Sequence, residues 1–293
     1  MVFMQAMVLA AGLGTRLKPL TDVLPKPLVP IGDRTALAHV VETVRMAGAK
    51  RIVVNTHFAK DEVEHEARAL GALISHEEVL LGTAGGVAKA SSFFDPGDLL
   101  VCTADVVTKA SLAPLFERGT ADATLLVESC SSGSGNVGID GEGWVVRLRQ
   151  TTVRKGEVRG AYSLGIQVLS AGLRDALPTT GCLVADLYLP TLQKGLRLAA
   201  REAIGSWTDV GTVFDYMRAN EEWLSDQKRD VFQHQTSSVA ANIRLDRTIL
   251  GRRVVVRGSG LVKRVVAWPG SIFDAPLSNA IVCREGMIVS VPA

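Results

Sequence analysis

The sequence predicts an α/β fold: a mixed, mostly parallel sheet flanked by helices, with a short β-helix-like appendage at its C-terminal end. Three observations carry this expectation. Short apolar runs alternate with stretches of helical periodicity from residue 2 to about residue 130. A glycine-rich stretch, Gly12-Leu13-Gly14-Thr15-Arg16, follows the first apolar run, at the strand end where parallel sheets receive their ligands. Near the end of the chain, apolar residues recur at a spacing of six.

Element by element, residues 2–9 form an apolar first strand, and 36–47 a helix that ends at Gly48. A strand at 51–55, a helix at 61–70 and short strands at 73–75 and 99–103 follow, with a further helix over 112–118. Strands separated by helices of this length imply right-handed crossovers and a mostly parallel sheet. Beyond Ala123 the helices thin out, and 124–127, 137–139, 144–148 and 162–168 read as strands of the region that would receive a second substrate. Helical periodicity returns at 212–224, and the polar run 225–238 reads as a linker. In the tail, Ile243, Ile249, Val255 and Leu261 fall six apart, continued by Ala267 and Phe273. That count fits a hexapeptide β-helix, punctuated by Gly251, Gly258, Gly260 and Gly270; ordinary antiparallel strands would also satisfy it.

Composition narrows the class. The 293 residues are 47% hydrophobic and 21% charged, which excludes disorder as the default. Thirty-two basic against thirty acidic residues give a net charge of +2 without long blocks, so neither a nucleic acid nor a membrane surface is the expected partner. No apolar run reaches the roughly 20 residues a membrane span requires. The opening apolar segment lacks the basic leader of a signal peptide and runs directly into the glycine-rich stretch. Cys102, Cys130, Cys182 and Cys283 lie far apart without metal-finger spacing and read as reduced thiols, so the expected location is cytoplasmic.

Three chemistries compete for residues 9–31. A dinucleotide fingerprint needs a third glycine where Leu17 stands, and a Walker A loop needs a G-K-[ST] spacing that does not occur. The third is a loop that wraps a triphosphate. Gly12 and Gly14 would leave backbone N–H groups open to phosphate oxygens, Thr15 adds a hydroxyl, and Arg16 offers a fork matched to phosphate. Lys26 supplies a second cation from a stiff Pro25-Lys26-Pro27 segment.

The run G-L-G-T-R-L-K-P-L-T, followed by P-K-P, resembles the signature of the sugar-1-phosphate nucleotidylyltransferases, the NDP-sugar pyrophosphorylases. The resemblance extends through Glu77 to Val87 (E-E-V-L-L-G-T-A-G-G-V), V-C-T-A-D at 101–105 and W-T-D-V-G-T at 207–212, and so covers residues 2 to about 224. It implies a Rossmann-like catalytic domain over residues 1–228 and, by similarity to mannose-1-phosphate guanylyltransferases, a left-handed β-helix over 239–293 that often serves assembly as a homo-oligomer. It further implies that Glu77, Gly82 and Thr83 read the base, that Asp105 and Asp209 bind Mg2+, and that Gly138 and Gly165 line the sugar pocket. A lone aspartate at either place could equally be a capping residue.

The reaction so implied is attack by a sugar 1-phosphate on the α-phosphorus of a nucleoside triphosphate. A phosphate monoester is already anionic at neutral pH, so no general base is needed, and catalysis reduces to positioning and charge neutralisation. Arg16 would stabilise the leaving pyrophosphate and Lys26 the α-phosphate. The family's E-K-P motif is missing, leaving Arg147, Arg149, Arg154 or Lys155 as substitutes, or as plain surface charge. A carboxylate at Glu77 could accept both N–H groups of guanine, which favours GTP and a GDP-mannose product. A uridylyltransferase acting on N-acetylmuramate 1-phosphate or another hexose 1-phosphate, and a non-catalytic subunit that binds nucleotide sugar, are the alternatives.

Overall fold

The structure, a computed structural model, describes residues 4–117 and 119–292. The first residues of the expected opening strand, and Arg118 at the end of the expected helix over 112–118, lie outside them. The described residues form two compact units, discontinuous in sequence: one comprises residues up to 12 and 37–207, the other 13–36 and 208 onward. This division differs from the expected split at residues 228 to 239. The segment after the first strand and the helix near residue 220 group with the tail, because the helix bonds both to the segment and to the tail.

The first unit is built on a ten-stranded sheet among the described residues. Its strands are β1 (Met4–Leu9), β2 (Ala49–Thr56), β3 (Leu73–His76), β4 (Leu99–Thr103), β5 (Ala123–Cys130), β6 (Val137–Ile139), β7 (Val145–Leu148), β8 (Thr151–Thr152), β9 (Arg159–Leu169) and β10 (Leu198–Glu202). The order is β8-β7-β6-β9-β4-β1-β2-β3, with β9 also pairing β5 and β5 pairing β10. From β4 to β3 the strands are parallel, whereas β9 runs antiparallel to β4, β5 and β6. The sheet is therefore parallel where the sequence alternates strand with helix, and antiparallel where the helices thin out.

Helices α1 (Ala36–Met46), α2 (Lys60–Ala69) and α3 (Gly82–Lys89) supply the crossovers. The interior four residues of β1 are all buried, as parallel strands covered on both faces require. Met7, Val53, Leu99, Val101 and Leu125 pack against Ala84 and Val87 of α3 and against Leu187 and Tyr188. Each such side chain stabilises the fold by about 1.5–3 kcal/mol. The expected helix over 112–118 is reduced to a 3-10 turn, Ala113–Phe116.

In the second unit, α4 (Val213–Asp226) opens with a full capping box: Thr212 accepts from the Asp215 N–H, and Asp215 returns a bond to the Thr212 N–H. The run expected as a linker contains two short strands: β11 (Val231–Gln233) and β12 (Ser238–Val239) begin a parallel stack with β13 (Ile243–Leu250), β14 (Val255–Ala267) and β15 (Ile272–Val282), closed by an antiparallel β16 (Ile288–Ser290). Partners lie 17 residues apart, as in Val231 with Thr248, Leu245 with Val262 and Val256 with Phe273, until a register shift after Gly258 reduces the offset to 15, as in Val262 with Leu277. The inward apolar series is Val239, Leu245, Leu250, Val256, Val262, Ala267 and Phe273. Its steps are 6, 5, 6, 6, 5 and 6, since three steps must total 17. The strict six-residue count touches this core at Ile243, misses it at Ile249, Val255 and Leu261, and returns to it at Ala267. No helix among the described residues is long and apolar enough to cross a membrane.

Candidate active site

Residues 13–36 and 208–212 bring the phosphate-loop candidates together within the second unit. Gly14 has φ 64°, and a Cβ there would lie 2.9 Å from Lys26 Cβ and 3.0 Å from Thr21 Cγ2, so a side chain is excluded twice over. Its carbonyl accepts from the Leu17 N–H at 3.0 Å and from the Thr21 hydroxyl at 3.1 Å. These bonds fold Thr15–Leu17 into a single 3-10 turn that buries Leu17 and leaves Thr15 and Arg16 exposed. Pro25 holds extended geometry, and Lys26 begins the next turn with its side chain only 11% exposed.

Two cations meet one carboxylate here. Arg16 Nη2 lies 3.7 Å from Asp209 Oδ2, and Lys26 Nζ lies 3.8 Å from Asp209 Oδ1. Both separations exceed hydrogen-bond length, so these contacts are loose ion pairs that phosphate oxygens could replace at small cost. Gly211 gives them room: a Cβ there would lie 3.0 Å from Arg16 Nη1 and 3.3 Å from Asp209 Oδ2. The sequence paired neither Thr21 with Gly14 nor Gly211 with Arg16; the only trace was their position inside the quoted motifs.

The base-side candidates lie in the first unit, and there Glu77 departs from its expected role. It is 1% exposed. Its Oε1 accepts from the Asn55 side-chain amide at 2.7 Å and its Oε2 from the Leu81 N–H at 3.0 Å, while Asn55 Oδ1 accepts from the Ala10 N–H at 2.7 Å. Glu77 and Asn55 thus brace the end of β1 against the turn that starts α3. This supplies a packing reason for the carboxylate and removes the support it gave to a guanine reading. Asn55 was legible as a polar residue ending an apolar strand run.

The glycines of that turn are equally committed. Gly82 has φ 76° and lies against the Gly181 carbonyl; Thr83 Oγ1 accepts from the Leu183 N–H at 2.9 Å. A Cβ on Gly86 would lie 2.7 Å from both Asn55 Nδ2 and Glu77 Oε1. Gly86→Ala is therefore expected to destabilise the protein by about 1–3 kcal/mol, read as a lower denaturant midpoint at unchanged slope.

Asp105 is half-buried, two residues past the end of β4, where the Ala104 N–H donates to the Leu9 carbonyl at 2.9 Å. Gly165, at φ 72°, lies against Thr103 at the end of the same strand. Gly138 instead makes room for the pair Arg147–Glu157. Of the four cations weighed in place of the missing motif, Arg147 is fully engaged by Glu157 and by backbone carbonyls. Arg154 bonds the Val145 carbonyl at 3.4 Å, and Arg149 reaches Cys182 Sγ at 3.4 Å. Burial pushes the Cys182 thiol up, but the N–H groups of Ala185 and Val184, the Thr83 hydroxyl and Arg149 together bring it below its ordinary value. All four cysteines are free thiols. Among the described residues no group of three or more His, Cys, Asp or Glu side chains gathers as a metal site.

The family model described as nucleotidyl transferase matches residues 5–226, which spans the first sheet, the loop with Arg16 and Lys26, and Asp209. The chain belongs to the nucleotidyl transferase family. It is a nucleotidyltransferase enzyme by that membership. Its relatives include the mannose-1-phosphate guanyltransferase of Schizosaccharomyces pombe, 27% identical over 263 residues that cover 83% of this chain and 71% of the relative. The UTP–glucose-1-phosphate uridylyltransferase of Synechocystis is also 27% identical, over 78% of this chain and 65% of the relative. Among solved structures, HddC from Yersinia pseudotuberculosis complexed with GMP-PN superposes with a TM-score of 0.64 at 22% identity, covering 76% of this chain and all of that one. At that identity the likeness establishes the fold alone.

Proposed function

We propose that this nucleotidyltransferase transfers GMP from GTP to mannose 1-phosphate, forming GDP-mannose and releasing pyrophosphate. The observation that carries the reaction class is the pair of cations, Arg16 and Lys26, held on Asp209 by a loop with the family's spacing. A phosphate oxygen of the sugar 1-phosphate attacks the α-phosphorus; the new P–O bond forms as the bond to the β-phosphate bridging oxygen breaks. Negative charge moves onto the leaving pyrophosphate, where Arg16 stabilises it, while Lys26 holds the α-phosphate. Gly12, Gly14 and Thr15 supply donors to the triphosphate.

Mg2+ is the proposed metal; Asp105 and Asp209 would be the carboxylates that hold it, and it would supply charge neutralisation. The choice of GTP and mannose rests on the names of relatives such as the yeast enzyme rather than on Glu77. Gly82 and Thr83 remain the proposed base-side turn, and Gly165 the sugar-side glycine. The parallel stack with its 17-residue offset supports reading residues 239–293 as a left-handed β-helix, the proposed site of self-association. A cytoplasmic location accords with four free thiols.

The test is pyrophosphate release with Mg2+, crossing GTP, UTP, dTTP and ATP against mannose, glucose and N-acetylmuramate 1-phosphates, with Asp105→Asn as control. GTP with mannose 1-phosphate is expected to turn over fastest, and the control to lose about 10²-fold or more. UTP with glucose 1-phosphate as the best pair would overturn the substrate and keep the reaction. Silence from every pair, with nucleotide sugar still bound, would favour a non-catalytic subunit.

A further inference from the structure

The second unit contains a chain of hydrogen bonds that begins in the tail and ends in the segment carrying Lys26. Trp268 Nε1–H donates to the Tyr216 hydroxyl at 2.8 Å, and that hydroxyl donates to the Pro30 carbonyl at 2.6 Å. The two rings meet edge to face, with centroids 6.3 Å apart. Both residues are fully buried. One turn further along α4, Asn220 Oδ1 accepts from the Gly32 N–H at 2.9 Å while its amide donates to the Tyr216 carbonyl at 3.0 Å. Gly32, at φ 62°, sits against the Trp223 ring, where no side chain would fit. Arg264 of β14 adds an ion pair to Glu221 at 2.7 Å and a bond to the Pro292 carbonyl at 2.8 Å.

We propose that the C-terminal strand stack is a positioning element for the phosphate-binding segment, with Trp268 and Tyr216 as the residues through which it acts. Pro30 and Gly32 lie four and six residues after Lys26, in the hairpin Pro30–Ile31 with Arg34–Thr35. Thr212, the cap of α4, lies three residues after Asp209. The carboxylate that faces both cations thus lies just before a helix that carries, along its length, the groups that bind the hairpin and the tail. Pro30 has no N–H, and its carbonyl would be an orphan inside this packing if the tyrosine hydroxyl were lost. The tail therefore fixes where Lys26 stands relative to Asp209, whether or not it also joins two copies of the chain. Trp268 and Tyr216 touch no substrate; they act through the hairpin and α4.

The activity part of the test rests on the proposed nucleotidyl transfer, and the structural part does not. Hydrogen exchange of the substrate-free protein is compared for wild type, Tyr216→Phe and Trp268→Phe. Tyr216→Phe keeps the ring and removes only the hydroxyl, so it remains informative if Trp268→Phe fails to fold. Exchange over residues 26–32 is expected to rise about tenfold, with β1, β2 and β4 of the first unit unchanged. With a working substrate pair, kcat is expected to fall about tenfold while KM for the sugar 1-phosphate holds. The double variant should be no worse than the more damaging single one, since the two side chains form one relay. Unchanged exchange over 26–32 in Tyr216→Phe, or an equal rise across both units, would overturn the proposal. Should no substrate pair turn over, the exchange result alone decides it.

Discussion

Lys26→Ala is expected to lower pyrophosphate release by about 10²–10³-fold, the usual cost of removing one preorganised charge from a centre where negative charge moves. The ammonium is the less exposed of the two cations, at 11% against 68% for Arg16. A cation shielded from water acts in a lower dielectric, so its loss should cost more than that of Arg16. The stem of Lys26 packs on Gly14, whose missing Cβ is what lets it approach. For that reason Lys26→Arg should recover little: the larger planar fork has no room where the stem lies against the loop. Steady-state kinetics on both variants, beside circular dichroism to confirm folding, measures this. A Lys26→Ala enzyme within threefold of wild type would remove Lys26 from the reaction.

Arg147→Ala is expected to destabilise the first unit by about 3 kcal/mol. The guanidinium donates to Glu157 through Nε at 2.8 Å and Nη2 at 3.0 Å, and to the carbonyls of Gly135, Arg149 and Ser134 at 3.2, 2.9 and 2.9 Å. Truncation orphans those carbonyls and leaves Glu157 with the Gly133 N–H at 2.7 Å as its remaining mapped donor. The bond from Arg147 holds the Glu157 carboxyl below its ordinary value, against the opposing effect of burial. A depressed carboxyl contributes its stability above the unfolded value and loses it as pH falls through the folded one. The gap between wild type and Arg147→Ala, taken from urea titrations, should therefore be full at pH 7 and shrink below about pH 4. A gap that widens in acid would contradict the assignment.

The sheet was legible because burial on both faces leaves continuous apolar runs, and β1, β2, β4 and β9 fall where those runs do. The loop was legible for a different reason: Gly14, Arg16 and Lys26 sit in a short, dense motif. Glu77 was misread because its sequence neighbours carry no trace of Asn55, its partner from another strand. The stretch over 225–238 was polar enough to read as linker, yet β11 and β12 gain their order from residues 17 positions later. The tail count failed in phase for a related reason. A stack whose partners lie 17 residues apart, and 15 apart past the register shift after Gly258, has no six-residue period, so a count of six drifts from the core.

The order of the two units along the chain has a consequence for synthesis. Residues 37–207 form their unit from near neighbours in time, and on a ribosome that unit can fold as soon as β10 has emerged. The other unit must hold residues 13–36 in waiting until α4 and the strands beyond residue 230 arrive, some 200 residues later. At the ~5–20 residues per second of translation, the loop with Arg16 and Lys26 spends on the order of ten seconds or more without its framework. Nascent chains that stall before Trp268 should therefore be folded, soluble in their sheet, and inert.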